Sequence, residues 1–420
     1  MSAGCGNGGG KASGHVIIGN CAAGIAAAEA IREAGCQEPL SIITDEEHPA
    51  YGRPLTSYVL GGRVSRDQIW LRPPDFYGRL AIDILFGQRA AAVDSKEKSV
   101  VIEGGGKLRY DRLLIASGGS PRKLPVPGAD LAGVFYLRTV ADSDAIIGHL
   151  PRTRRVVLCG GGLVTAKAMD ALRHVDTVES MSMVEIMPAV LSQVLDGEPA
   201  AIMEQHFREN GVDVRTETSI EEVLGREGRV AGVRLSSGEV LDCEMVIVGM
   251  GVIPNTGFLA GSGIKTDFGI LVDSCQRTSV QDVFSAGDVA QVPDFFGDGS
   301  RVCAIWPAAC QQGRVAGLNM AGREAVYRGG VGMNSAEFFG LPVIAAGMTK
   351  PGEGREAFDY RSGEKQFRRI VLKDGVVVGY VLLGEVSCTG VLTAMIYSRR
   401  KLNGTVRDVL AADLSNFIRS

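Results

Sequence analysis

Gly19, Cys21 and Gly24 stand in the spacing G-x-G-x-x-G, with Cys21 at the middle position. Gly160, Gly162 and Thr165 repeat the spacing further along, with Thr165 at the third position. A loop of this kind lets backbone N–H groups come close to an anion, and a helix opening behind it adds partial positive charge. The anion that fits the spacing is the pyrophosphate of a dinucleotide. Two residues past Thr165 comes a cation, Lys167. Each loop is also followed by an acid placed to hold a ribose: Asp45, or Glu46 beside it, after the first, and Glu185 after the second.

These residues can act only if a buried strand runs into each loop and a helix runs out of it. "HVIIGNCAAGIAAAEAIREAG" supplies a strand at Val16–Ile18, a turn through Ala22 and Ala23, and an alanine-rich helix over Ile25–Ala34. "LSIITDEE" is the next strand. "RRVVLCGGGLV", "TAKAMDALRHV" and "SMSMVE" repeat that order, with Gly161, Leu163 and Val164 in the second turn. Without this context the glycines would mark only a tight turn. Cys21 is read as a small residue, tolerated where φ stays negative, and not as a redox thiol. Thr165 replaces the glycine that serves helix–strand packing, so the second loop remains able to bind. A carboxylate at Glu185 would accept from a ribose 2′-hydroxyl and repel a 2′-phosphate, which favours NADH over NADPH.

At 420 residues the chain exceeds one hydrophobic core, and two or three domains are expected. A net charge of −4 gives no reason to expect nucleic acid. No apolar run approaches the ~18 residues that span a membrane. The opening "MSAGCGNGGGKASG" has no apolar centre, so it reads as a flexible lead-in and not as a secretory signal. Nine cysteines, at 5, 21, 36, 159, 243, 275, 303, 310 and 388, form no C-x-x-C. That scatter indicates reduced thiols in a cytoplasmic protein, without a disulfide framework and without an iron–sulfur, zinc or other metal site.

Three further stretches follow in order. "YDRLLIASGGSPRKLPVPG" (110–128) contains Ala116, Ser117 and Gly118; "VIVGMGVIPN" (246–255) contains Gly249 and Gly251; "TSVQDVFSAGDVA" (278–290) ends a strand at Gly287 and Asp288. With the two glycine loops they resemble the pyridine nucleotide–disulfide oxidoreductase fold family. The resemblance covers nearly the whole chain and implies an α/β fold. Two Rossmann-like, glutathione reductase-type dinucleotide-binding domains would be joined by a small α+β C-terminal domain. An FAD domain would be split over 1–120 and 252–327, an NAD(H) domain would take 121–251, and an interface domain 328–420. FAD would lie on the first loop and NAD(H) on the second, with Asp288 at the ribityl and phosphate region. The stretches at 116–118 and 249–255 would be the two chain crossings.

The disulfide-reducing and single-cysteine branches of that family carry a thiol near "AYGRPLTSYVLGG" (50–62), which here has none. Without it no thiolate can relay electrons, and they must leave the flavin directly. Tyr51, Arg53 and Pro54 resemble the Y-x-R-P element of rubredoxin reductases, oxygenase-coupled ferredoxin reductases, apoptosis-inducing factor and nitrite reductase large subunits, where the Arg contacts FAD. Ferredoxin reductases pair a Lys and a Glu near the flavin; the two places here hold Tyr58 and Lys167. Lys167 is then either a cation beside the flavin or a solvated helix lysine. "IWPAACQQGRVAGLNM" reads as a helix opened by Pro307, with Ala308 and Ala309 offering N–H groups to the flavin edge. Trp306 either packs near the ring or is plain core.

In the tail, "QFRRIVLKDGVVVGYVLLGE" reads as a hairpin turning at Asp374-Gly375, and "SCTGVLTAMIYSRRKL" as an amphipathic helix. Arg368, Arg369, Arg399, Arg400 and Lys401 form either a basic rim for an acidic carrier or an ordinary charged face. The resemblance implies an FAD-dependent NADH:electron-acceptor oxidoreductase, delivering to a rubredoxin, a ferredoxin or a partner metallo-subunit. It also admits a homodimer or hetero-complex through the C-terminal domain. An NADH oxidase and a nucleotide-sensing interaction flavoprotein are the rival readings.

Overall fold

The structure is a computed structural model that describes residues 14–297, 299–402 and 406. The lead-in expected at the N-terminus, with Cys5, lies outside the described residues except for Gly14. The chain divides into two compact units. One comprises Met1–Gly52, Ile69–Ser120 and Ile253–Gly330; the other comprises Arg53–Gln68, Pro121–Val252 and Val331–Ser420.

The first unit is built on a parallel sheet in the order Val283–Ser285, Arg112–Ile115, His15–Ile18, Leu40–Ile43, Ile82–Leu85. All four residues of His15–Ile18 are buried, as a central strand covered on both faces requires. Successive side chains leave on opposite faces. Ile17, Ile42 and Leu114 pack with Ile25, Ala28 and Ile31 of the helix Ala22–Glu33. Val16, Ile43 and Leu113 pack with Val93, Val100 and Val283. That helix begins at Ala22, earlier than the expected Ile25, so its unpaired first-turn N–H groups belong to the loop itself. The helix Trp306–Met320 lies against it with no room to spare. A Cβ on Gly313 would stand 2.1 Å from the carbonyl oxygen of Ala23, and one on Gly317 2.3 Å from that of Ala27. Trp306, not Pro307, is the first helical residue; proline is tolerated in a first turn because its N–H has no partner there.

The second unit has its own parallel sheet, in the order Val212–Arg215, Ser180–Val184, Arg155–Cys159, Met245–Val248, Val134–Tyr136. Counted from the strand that enters the glycine loop, both sheets run third, second, first, fourth. Both also insert an antiparallel three-stranded meander before the fourth strand. The meander is Ala90–Asp94, Ser99–Ile102, Lys107–Arg109 in the first unit and Ile220–Arg226, Arg229–Leu235, Val240–Asp242 in the second. The two parallel sheets with their meanders are one design used twice.

An antiparallel five-stranded sheet, Met333–Phe338, Leu341–Gly347, Val376–Leu383, Gln366–Lys373, Glu356–Gly363, also belongs to the second unit. The hairpin turns at Asp374 (φ +53°) and Gly375 (φ +78°), the positive pair of a type I′ turn. Phe338, Phe339 and Phe367 share a core with Met169, Leu172 and Phe207. The helix Thr389–Ser398 follows. Arg368 and Arg369 are no rim: both are buried, Arg368 paired with Glu385 and Arg369 with Asp196 and Asp359. Arg400 and Lys401 are exposed. Among the described residues, no helix is long and apolar enough to cross a membrane.

Candidate functional site

In the first loop Gly19 has φ +114°, and a Cβ there would meet the Ala116 carbonyl oxygen at 2.1 Å. A Cβ on Gly24 would lie 1.9 Å from the Gly19 carbonyl oxygen. Backbone fills both spaces a side chain would need. Cys21 is extended, φ −136°, as a side chain at this middle position requires, and caps the helix through its backbone alone. No acid stands in the first turn, so the N–H groups of Ala22, Ala23 and Gly24 face the loop without a competing charge from the helix itself. At the end of the next strand Asp45 is exposed, whereas Glu46 accepts the Tyr51 hydroxyl at 2.6 Å. The two acids left open by the spacing are thus distinguished: Glu46 has a phenol partner and Asp45 faces solvent.

The chain crossings at Ser117 and Asn255 lock onto each other. Ser117 Oγ donates to the Asn255 carbonyl at 3.0 Å, Asn255 Nδ2 donates to the Ser117 carbonyl at 2.9 Å, and Asn255 N–H donates to the Gly118 carbonyl at 2.9 Å. Asn255 was not singled out from sequence, although it closes the G-x-x-P-N stretch. Gly287, φ +84°, carries no Cβ where Ala23 would meet it at 3.2 Å, and its N–H donates to the buried Gln312 Oε1 at 2.8 Å. Nothing in the sequence marks Gln312. Its Nε2 is buried with no partner among the described residues. Asp288 and Trp306 are half-buried, and Ala308 and Ala309 are buried at the start of their helix. Trp306 packs against the same core as Ile25 and Ala28.

The second loop differs at its third position. Gly160 has φ +103°, with the Gly249 carbonyl oxygen 2.7 Å from any Cβ. Thr165 is fully buried, and its hydroxyl donates to the Gly160 carbonyl at 2.6 Å, with Gly162 O at 3.0 Å. Its methyl occupies the space that a Cβ on Gly249 would enter, at 2.6 Å. Gly162 caps the helix Leu163–Leu172, Leu163 is half-buried and Val164 is exposed. Glu185 is buried and turned back on the loop, where its carboxylate accepts from the N–H groups of Gly161 and, at 2.7 Å, Met187. Burial, with this carboxylate nearby, pushes the Cys159 thiol up to about 12. Gly251 is positive at φ +91°, and its carbonyl accepts from Arg122 N–H at 2.9 Å.

Lys167 has protein partners of its own. Its Nζ lies 5.2 Å from the centre of the Tyr58 ring and 5.3 Å from that of Phe338, and donates to the Glu337 carbonyl at 2.8 Å. It is a half-buried cation between two rings. Tyr58 sits on the short helix Thr56–Leu60 and also has the Arg63 guanidinium 5.9 Å from its ring centre. Lys167, Tyr58, Ser57, Arg63, Asp170 and Ala171 line one shallow pocket. Just upstream, Arg53 is half-buried and Pro54 exposed, in the 3-10 turn Arg53–Leu55.

The family pattern described as pyridine nucleotide-disulphide oxidoreductase matches residues 13–313. The NADH-dependent phenylglyoxylate dehydrogenase subunit epsilon of Aromatoleum evansii is 31% identical, over 92% of this chain and 92% of its own length. The 5,5′-dehydrodivanillate O-demethylase ferredoxin reductase subunit of Sphingobium sp. is 34% identical, over 74% of this chain and 76% of its own. Among solved structures, the ferredoxin reductase of the CYP199A2 system from Rhodopseudomonas palustris superposes with a TM-score of 0.85 at 26% identity, covering 93% of this chain and 96% of that one.

Proposed function

The chain belongs to the pyridine nucleotide-disulphide oxidoreductase family, and from that premise we propose that it is an FAD-dependent NADH:electron-acceptor oxidoreductase serving a rubredoxin, a ferredoxin or a metal-containing partner subunit. The duplicated strand–loop–helix carries this reading, because it supports one glycine-loop seat for each of two dinucleotides in one chain. Bound FAD would supply the conversion between hydride and single-electron transfer.

The residues divide as follows. Gly19, Cys21, Ala22, Ala23 and Gly24 hold the FAD pyrophosphate through backbone N–H groups, with Asp45 or Glu46 on the ribose. Ala116, Ser117, Gly118, Gly287, Asp288, Trp306 and Ala308 complete the FAD seat, and Arg53 and Pro54 approach the flavin. Gly160, Gly161, Gly162, Leu163 and Val164 hold NADH. Glu185 takes the ribose, exchanging its bond to Gly161 for the sugar hydroxyls. Gly249 backs that loop from the end of the neighbouring parallel strand, and Gly251 follows it toward the cofactor. Lys167 and Tyr58 act as a coupled pair where nicotinamide and flavin meet. With no cysteine in 50–62, electrons leave without a thiol relay. The protein is a cytoplasmic one, and its C-terminal sheet and helix form the surface for a partner or second copy.

The test is anaerobic mixing of the purified yellow protein with NADH, followed by addition of a rubredoxin or ferredoxin. Flavin bleaching by NADH and re-oxidation by the carrier are expected. A colourless chain that takes up no FAD sinks the reading. Turnover with oxygen alone as fast as with any carrier would make the protein an NADH oxidase. Bleaching that is very slow and ends in a stable charge-transfer complex would make it a nucleotide sensor.

A further inference from the structure

The strand entering the first loop begins with a histidine that has no part in the redox reading. His15 is 2% exposed. Its Nε2 lies 3.5 Å from Cys36 Sγ and 3.5 Å from Glu38 Oε2. The three potential donor atoms all lie within 4.8 Å of one another. Tetrahedral zinc holds nitrogen, oxygen and sulfur donors at about 2.0–2.3 Å, which sets neighbouring donors roughly 3.3–3.6 Å apart. We propose that His15, Cys36 and Glu38 form a binding site for a zinc-class divalent cation, with a fourth position open to water on the side of exposed Glu38.

The site is built, not assembled by chance on a surface. Arg32 grips the turn that carries two of the ligands, donating through Nη1 to the Cys36 carbonyl at 2.8 Å and the Glu38 carbonyl at 2.9 Å. Its Nε and Nη2 are fixed in turn on the carbonyls of Leu80 and Ala81. Gly35, φ +85°, follows the helix Ala22–Glu33 and reverses the chain toward Cys36. The third ligand is held by the sheet: His15 N–H donates to the Pro39 carbonyl at 2.8 Å, and His15 pairs in register with Leu40. The ligands therefore keep their spacing without a metal, as an affinity site needs.

The chemistry of the donors agrees. Nδ1 of His15 is buried with no hydrogen-bond partner among the described residues, so the ring's polar contacts all run through Nε2. Burial holds the imidazole pKa below its ordinary value, with Arg112 and Arg32 acting in the same sense and Glu38 and Asp111 against it. A neutral imidazole is the form that ligates. One imidazole, one thiol and one carboxylate are the mixed donor set of a borderline-soft ion, not of magnesium or calcium. Binding replaces the thiol proton by the metal: one proton is released per ion, and no electron moves. Cysteine spacing excluded a zinc site because it looks for ligands in one local run. Here one ligand comes from a strand and two from the turn that leads into the next strand.

The test uses the full-length flavoprotein with cobalt(II) and zinc(II) as probes. Cobalt should bind at one ion per chain and give tetrahedral ligand-field bands to the red of the flavin absorption, with a sulfur-to-cobalt charge-transfer band. Zinc should displace it. C36S should abolish the charge-transfer band. E38Q, at a 59% exposed side chain, should weaken cobalt binding at least tenfold with an unchanged flavin spectrum. C275S should change neither. Octahedral, sulfur-free cobalt spectra, or affinities that E38Q and C36S leave unaltered, overturn the proposal. So does the same binding in a control bearing both substitutions.

Discussion

Thr165 donates its hydroxyl to the Gly160 carbonyl at 2.6 Å across the second glycine loop. The equivalent place in the first loop is Gly24, where a Cβ would stand 1.9 Å from the Gly19 carbonyl. The second loop has opened enough to seat a side chain and then used the hydroxyl to close itself. Thr165→Val keeps the methyl packing and removes that bond. A buried hydrogen bond is worth about 1 kcal/mol net, so a loss of ~2–4 °C in Tm is expected. KM for NADH should rise severalfold with FAD content unchanged. Lost FAD with unaltered KM would assign the loop to the wrong cofactor.

Glu185 is buried and shared between Gly161 N–H and Met187 N–H. Glu185→Gln removes the charge and keeps one acceptor oxygen. The preference for NADH over NADPH, measured as the ratio of kcat/KM values, should fall at least tenfold, which is ~1.4 kcal/mol. An unchanged ratio would mean that the carboxylate serves the loop alone.

Lys167 links the Tyr58 and Phe338 rings to the Glu337 carbonyl. Lys167→Met should cost about 1–2 kcal/mol of stability from these contacts. Lys167→Glu should also lower the two-electron flavin potential by tens of millivolts, since ~30 mV corresponds to ~1.4 kcal/mol. Exposed Lys373, reversed in the same way, is the control. Spectroelectrochemical titration beside thermal melts separates the roles. A melt that shifts while the potential stays still would make Lys167 an anchor of the C-terminal sheet and nothing more.

Both glycine loops, their strands and the acids that follow were readable because each spans a few tens of residues and follows local steric rules. What was not readable came from pairings between distant segments. Lys167 finds its carbonyl 170 positions away at Glu337. Asn255 bonds Ser117 138 positions away. Arg368 and Arg369 looked like a charged edge because sequence shows a charge and not the acid that neutralises it. Glu185 was placed at the right strand end, yet its turn back onto Gly161 depends on a loop conformation that spacing does not encode.

Acid should destabilise the protein well before its carboxylates protonate. Burial is the main cause holding His15, His149 and His206 below the ordinary 6.5. The unfolded chain takes up protons at these rings as pH falls through about 6.5, and the folded chain only lower. The unfolded state thus binds more protons in that window, and stability declines with falling pH. Urea midpoints should be lower at pH ~5.5 than at pH ~7.5. His149→Gln should shrink the difference. Equal midpoints, or a higher one in acid, would refute this.

The first unit is interrupted by the second, and this sets an order of events during synthesis. Val283–Ser285 and the helix Trp306–Met320 complete a sheet and a helix pair begun at His15–Ile18 and Ala22–Glu33. A ribosome that has already released the whole parallel sheet of the second unit still holds the first one unfinished. Until Gly313 and Gly317 emerge, the small-residue face of Ala22–Glu33 stays uncovered. With FAD on the first loop, as proposed, flavin loading is a late event in the life of the nascent chain, and a truncation before residue 306 should leave a product that other cellular factors must shield.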